Sequence, residues 1–70
     1  MNSFREVQQL LLRYGIITYI GDRLAEIELS LLEIEELHQQ GVLDRSDYQQ
    51  AVAFLLTERD KIKEERESKN

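Results

Sequence analysis

The chain has 70 residues, neither cysteine nor proline, 41% hydrophobic and 33% charged residues, and a formal net charge of -5. Disulfides, thiolate zinc sites and thiol nucleophiles are therefore excluded, and the length allows one domain with a small core. The acidic balance disfavours a general nucleic-acid binder, because nonspecific affinity comes mostly from cations that neutralise phosphates.

The charges are distributed unevenly along the chain. Residues 1–23 carry three arginines against two acidic residues, whereas residues 24–47 carry one arginine against seven. We therefore expect any anion site near the first segment, while the middle segment should repel anions. A polar start, and the lack of any run of about 18 to 20 apolar residues, predict a complete cytosolic protein that does not enter a membrane.

The first predicted helix begins at Phe4, because Ser3 and Glu6 have the spacing of a capping box. Apolar residues follow at helical spacing, and Gly15 suits a helix C-terminus, so the helix is expected to end at Tyr14. The β-branched and aromatic run Ile16 to Ile20 comes next. Since no second strand is visible to pair with it, we predict an extended connector packed on the helices.

The second predicted helix runs from an Asp22 cap to about Gln40 and places most of its glutamates, including Glu26, in solvent. Gly41 ends it, and the third helix follows an Asp44 cap. Together these elements predict an all-α fold, a small three-helix bundle with an extended connector between helices 1 and 2 and an antiparallel hairpin of helices 2 and 3. Residues 1–62 are predicted to form a single domain, and residues 63–70 a charged, frayed tail.

Few residues in this chain suit catalysis. His38 is the only histidine, and an interaction with Glu35 one turn earlier near the helix end is favoured over a catalytic or ligand role. The run Glu33, Glu35 and Glu36 is typical of a solvated acidic face, since neighbouring helical residues point in different directions. We therefore predict no catalytic residue, metal site or cofactor, and a protein that is not an enzyme.

The connector and its flanks combine aromatic rings with cations. Tyr14 and Tyr19 could stack on unpaired bases while Arg13 and Arg23 contact phosphates. In the alternative interpretation the tyrosines fill the junction after the first helix and the arginines pair with acidic residues such as Asp22 or Glu26. On physical grounds alone this structural interpretation is favoured.

Several apolar residues lie off the main helical stripes and indicate a second apolar surface. They are Leu12, Leu29, Leu32 and Phe54. Such a surface could join two copies of the chain or dock a partner helix, unless the connector covers it.

The order of Val7 to Leu11, Tyr14-Gly15, Tyr19 and Gly21 to Ala25 resembles the YqgQ family of short bacterial proteins from Gram-positive species. The resemblance covers most of the first 57 residues. It implies a cytoplasmic three-helix bundle without established enzyme activity. It also implies binding of single-stranded nucleic acid, with Arg13, Tyr14, Tyr19, Gly21 and Arg23 as the site. Ile20 departs from the hydroxyl residue expected there.

Two hypotheses remain from the sequence. The leading one is a binding module whose connector presents its tyrosines and arginines to single-stranded RNA or DNA. In the other, Leu29, Leu32 and Phe54 form a homodimer interface or dock a partner helix. Exposed tyrosine rings would favour the first hypothesis and buried rings the second.

Overall fold

A computed structural model describes residues 2–68 of the chain. It contains three helices, α1 (Phe4–Leu12), α2 (Arg23–Gln39) and α3 (Arg45–Ser68), and no strand within the described range. The all-α, three-helix prediction is therefore confirmed.

Local capping explains where α1 begins and ends. The Ser3 hydroxyl accepts a hydrogen bond from the backbone N–H of Glu6 at 3.3 Å, but the Glu6 carboxylate accepts from the N–H of Asn2 rather than from that of Ser3. The helix ends two residues before the predicted Tyr14, because the N–H groups of Tyr14 and Gly15 bind carbonyls only three residues back. The capping box is thus half formed, and the final turn is tighter than an α-helical turn.

The turn between α2 and α3 follows the sequence prediction closely. Gly41 has φ +76°, a left-handed conformation that costs glycine little, and the N–H groups of Val42 and Leu43 both bind the carbonyl of Leu37. The Asp44 carboxylate accepts a hydrogen bond from the N–H of Ser46 at 3.1 Å, as an N-cap does. These bonds fix the antiparallel hairpin.

Contacts at the two ends of the bundle give the direction of each element. The Arg23 guanidinium lies over the Phe4 ring, which brings the starts of α1 and α2 together. At the opposite end, the Tyr14 hydroxyl donates to the carbonyl of Val42 at 3.3 Å. Helices α1 and α2 are therefore parallel, and the connector, residues 13–22, runs back along the bundle between them.

The core lies where all three helices meet. Its buried apolar residues come from α1, α2, the turn and α3, and seven of the ten are less than 5% exposed. They are Phe4, Val7, Leu10, Leu11, Ile27, Ile34, Leu37, Leu43, Ala51 and Leu55. The short α1 thus covers the open side of the hairpin, as expected from its apolar spacing.

Helix α3 continues well beyond Ile62. Residues 63–68 of the predicted charged tail extend the helix, while residues 69–70 lie outside the described range. An Arg66 guanidinium nitrogen lies 3.4 Å from the Asp22 carboxylate, which joins the end of α3 to the end of the connector. Both side chains are more than half exposed, so this ion pair contributes little stability.

The expected contact between His38 and Glu35 is absent from the described structure. The Tyr48 hydroxyl instead donates to the Glu35 carboxylate at 2.7 Å, and the Tyr48 ring stacks on the His38 ring with centroids 3.9 Å apart. A ring contact from α3 therefore replaces the expected pairing within α2, because Tyr48 occupies the space that the Glu35 carboxylate faces.

The hydrogen bond to Glu35 raises the pKa of Tyr48 above its usual value of 10.0, since it stabilises the neutral phenol. We expect Glu35→Gln to lower the Tyr48 pKa towards 10.0. Chemical shifts of the ring carbons followed from pH 8 to 12 check this, and Glu36→Gln on the same helix is the control. The contribution of this bond to stability is present below pH 10 and is lost as the pH rises through the higher folded pKa. An unchanged Tyr48 titration in Glu35→Gln would contradict the assignment.

Candidate functional site

Side chains of the connector alternate between the core and the solvent. Ile16 packs partly against the core and Thr18 is 1% exposed, whereas Ile17 and Tyr19 are 66% and 64% exposed. This is the alternation of an extended chain, whose successive side chains point in opposite directions. The outward face therefore holds Ile17 and Tyr19, and the alternation ends at Ile20, which is also exposed, at 54%.

The middle of the connector has no strand partner. Among residues 2–68, no hydrogen bond involves the backbone of Ile17, Thr18 or Tyr19. The connector is therefore an extended segment without a strand partner, as predicted, and regular β-structure does not hold it in place. Its position depends on the buried side chains and on contacts at its two ends.

Glu26 fixes the end of the connector that leads into α2. One carboxylate oxygen, Oε2, accepts hydrogen bonds from the N–H groups of Ile20 at 2.8 Å and Gly21 at 3.0 Å. The other oxygen, Oε1, lies 3.7 Å from Nε of Arg23. Glu26 is 9% exposed, so its predicted place among the solvated glutamates is wrong. Its partners are the N–H groups of the preceding loop, which attract the carboxylate inwards.

These contacts determine the ionisation of Glu26. The hydrogen bond from Gly21 lowers its pKa most, followed by the one from Ile20, and the Arg23 charge acts in the same direction. Burial opposes them, but the pKa remains below its usual value of 4.5. The carboxylate is therefore charged at neutral pH and holds the loop as an anion.

Gly21 and Arg23 complete this end of the connector. Gly21 has φ +94°, a backbone conformation that residues other than glycine rarely adopt. This conformation turns the Gly21 N–H towards Glu26. The Arg23 guanidinium carbon lies 4.3 Å from the centre of the Phe4 ring, within the range of a cation–π contact. Arg23 thus pairs with Glu26, as the structural interpretation predicted, and also contacts Phe4, which it did not predict; the Arg23 side chain stays 59% exposed.

Arg13 and Tyr14 lie at the other end of the bundle. Tyr14 is 40% exposed and is tied to Val42 through its hydroxyl, and Arg13 is exposed beside Asp47 in a small cleft between α1 and α3. Because α1 has nine residues, Arg13 follows it about 14 Å along the helix axis from Phe4, the residue whose ring Arg23 covers, at 1.5 Å per helical residue. The five predicted site residues therefore form a track along the bundle: Tyr19, Gly21 and Arg23 lie together, and Arg13 and Tyr14 lie apart from them.

The sequence analysis named Glu26 as a partner of the arginines but did not predict its bonds to the N–H groups of Ile20 and Gly21, and it did not predict the contact of Arg66. Glu26 stands four positions after Asp22, one more than in a capping box, so its spacing does not indicate these bonds. Arg66 reaches Asp22 across 44 positions, and only the antiparallel direction of α3 offered a signal. Both residues bring charge to the end of the connector that carries Tyr19.

The predicted interface residues differ in exposure. Phe54 packs partly buried against the core, and Leu29 is half-buried. Leu32 is 67% exposed and lines an apolar groove between α2 and α3, and Leu12 is 52% exposed on α1. The connector does not cover Leu32.

Two further findings concern the described residues only. No group of three or more histidine, cysteine, aspartate or glutamate side chains is placed to hold a metal ion. No helix among residues 2–68 has both the length and the apolar character needed to cross a membrane.

The YqgQ-like family model matches residues 1–61, which span α1, the connector, α2 and most of α3. The chain belongs to the YqgQ-like family. It is 40% identical over 67 residues to the Bacillus subtilis (strain 168) protein named "Uncharacterized protein YqgQ", covering 96% of this chain and 94% of that one. The family resemblance drawn from the Tyr-Gly and Gly-Asp-Arg-Leu-Ala motifs is thereby confirmed, and the family match includes the whole connector.

Proposed function

We propose that this protein is a non-catalytic binding module that holds single-stranded nucleic acid along the outward face of its connector. The observation that carries the proposal is the exposure of Tyr19, 64%, directly beside exposed Ile17 and Ile20. A tyrosine that only filled a junction would be buried. An exposed ring in a fixed backbone offers a surface on which an unpaired base can stack, whatever its sequence.

The anchored backbone supports this use of Tyr19. Glu26 holds the N–H groups of Ile20 and Gly21, and Thr18 is buried, so the backbone on both sides of Tyr19 is fixed. A platform that is already ordered before binding loses less conformational entropy when the ligand arrives. The ring can therefore contribute most of its stacking energy to affinity.

Cations at the two ends of the track complete the proposed site. Arg13 is exposed at one end, and the Arg23 side chain, 59% exposed, lies at the other. A strand lying along the connector would meet both arginines through its phosphates and Tyr14 and Tyr19 through its bases. Two phosphate contacts are few, and the net charge of -5 opposes the approach of an anion, so affinity should be modest.

We expect fluorescence anisotropy with labelled RNA and DNA single strands of about 16 nucleotides to give saturable binding that weakens with salt. With two phosphates contacted, the slope of log K against log salt should be about -1.4, or about a seven-fold loss between 50 and 200 mM. Tyr19→Ala should weaken binding about ten-fold, since stacking of one base contributes about 1–3 kcal/mol.

A charge-matched pair of variants tests the cations. Arg13→Gln/Arg23→Gln should reduce both the affinity and the salt slope, whereas Arg45→Gln/Lys63→Gln removes two positive charges elsewhere and should change the slope little. Circular dichroism checks that every variant folds. The proposal fails if no binding occurs at low salt, or if the two double variants lose affinity equally.

A further inference from the structure

A groove of about 490 Å³ runs between α2 and α3 on a surface separate from the connector. Leu31, Leu32, Tyr48 and Val52 line its apolar part. Leu32 is 67% exposed at its edge, although leucine is among the residues most often fully buried. An apolar groove with a projecting leucine has the form of a site that receives the apolar stripe of a helix.

Charges around the groove are arranged asymmetrically. On α2, Glu28 and Glu35 stand on either side of Leu32 at positions i, i+4 and i+7, so the three share one face of the helix. On the α3 side the groove carries Arg59. Beyond this rim, α2 adds Glu33 and Glu36, and residues 24–47 carry seven acidic residues against one arginine.

The two rims also differ in the partners they already have. Glu28 makes no hydrogen bond or ion pair within residues 2–68, while Glu35 accepts bonds from Tyr48 and Gln39. Arg59 lies 3.7 Å from Asp60, its neighbour in sequence. The α2 rim therefore offers unneutralised negative charge to an incoming surface, and the α3 rim offers a cation that is already partly paired.

We propose that this groove docks a basic amphipathic helix from another protein. The apolar stripe of that helix would lie on Leu31, Leu32 and Val52, and its lysine or arginine flank would face Glu28 and Glu35. A second copy of this chain fits less well, because it would place another acidic α2 and a net charge of -5 against the same rim. Charge complementarity thus selects the occupant and also its orientation, with the basic flank towards α2.

The test uses a synthetic 18-residue amphipathic helix with leucines on one face and lysines along one flank, and a matched peptide with glutamate in place of lysine. Binding to the full-length protein is followed by anisotropy and by backbone amide shifts. We expect the lysine peptide to shift amides around Leu31, Leu32 and Val52, and to bind more weakly as salt rises. The glutamate peptide should not bind.

Matched variants separate the groove from nonspecific attraction between opposite charges. Leu32→Ser should weaken binding of the lysine peptide about ten-fold or more, as loss of a leucine buried by the peptide implies, whereas Leu12→Ser removes another leucine that is more than half exposed, on α1, and should change the affinity little. Glu28→Gln/Glu35→Gln should reduce the affinity for the lysine peptide about two- to five-fold more than the charge-matched variant Glu36→Gln/Glu64→Gln does. Circular dichroism confirms folding of each.

Several results would overturn the proposal. These are an absence of lysine-peptide binding, equal losses in Leu32→Ser and Leu12→Ser, or equal binding of the two peptides. A Leu32-dependent dimer seen by sedimentation without peptide would assign the groove to a second copy instead. The Tyr19→Ala variant should bind the lysine peptide with unchanged affinity. A failure of the groove proposal can therefore be distinguished from a failure of the nucleic-acid proposal.

Discussion

Leu55→Ala is expected to lower the free energy of unfolding by about 2–5 kcal/mol, because Leu55 is fully buried and its truncation leaves a cavity. A domain of 70 residues has roughly 4–10 kcal/mol to lose, so this single change should bring the protein close to unfolding. Thermal denaturation followed by circular dichroism should show a fall in Tm of about 10 °C or more.

The neighbouring residue supplies the control. Leu56 lies one position further along α3 and is 36% exposed, so Leu56→Ala removes the same atoms from a site where water already has access. Its cost should be clearly smaller, about 1 kcal/mol or less. Similar losses of Tm in the two variants would contradict the core as described.

Glu26→Gln is expected to release the connector and to remove a pH-dependent part of the stability. The folded pKa of Glu26 lies below its usual value of 4.5, so its contribution is fully present above pH 4.5 and is lost as the pH falls through the folded pKa. Glutamine keeps the shape but lacks the charge that the N–H groups of Ile20 and Gly21 bind. The difference in stability between wild type and variant should therefore be large at pH 7 and should shrink below pH 4.5.

Urea denaturation at pH 7, 5, 4 and 3 measures this difference. Hydrogen exchange at the amides of Ile20 and Gly21 adds a local measurement, since both should exchange faster in the variant at pH 7. Glu28→Gln, an exposed glutamate on the same helix, is the control and should be neutral. A stability difference that does not change between pH 7 and pH 3 would mean that the Glu26 charge does not anchor the connector.

The fold was predictable because its signals are local. Caps at Ser3 and Asp44 and the turn at Gly41 depend on neighbours within a few residues, and the structure forms all three. Alternation within the connector also belongs to the chain itself, as the burial of Thr18 beside exposed Tyr19 shows. Where apolar periodicity and capping residues indicate the same helix, few other local structures are open to that segment.

The candidate site was only partly predictable, because it depends on contacts between distant elements. The inward turn of Glu26 requires the loop N–H groups to face it, and the approach of Arg66 requires α3 to extend past Ile62. Helical spacing groups Leu29 with Leu32, but the half-burial of Leu29 follows from packing, which the sequence pattern does not report.

The parallel direction of α1 and α2 also has an electrostatic consequence. Each helix carries a dipole equivalent to roughly half a positive charge at its N-terminus. In an antiparallel pair these dipoles oppose each other, but here two helices start at the end where Arg23 covers Phe4, and only α3 ends there. One dipole therefore remains uncancelled, with its positive pole near Gly21. The carboxylates of Glu6 and Glu26, in the first turns of α1 and α2, lie at this positive pole and are stabilised by it.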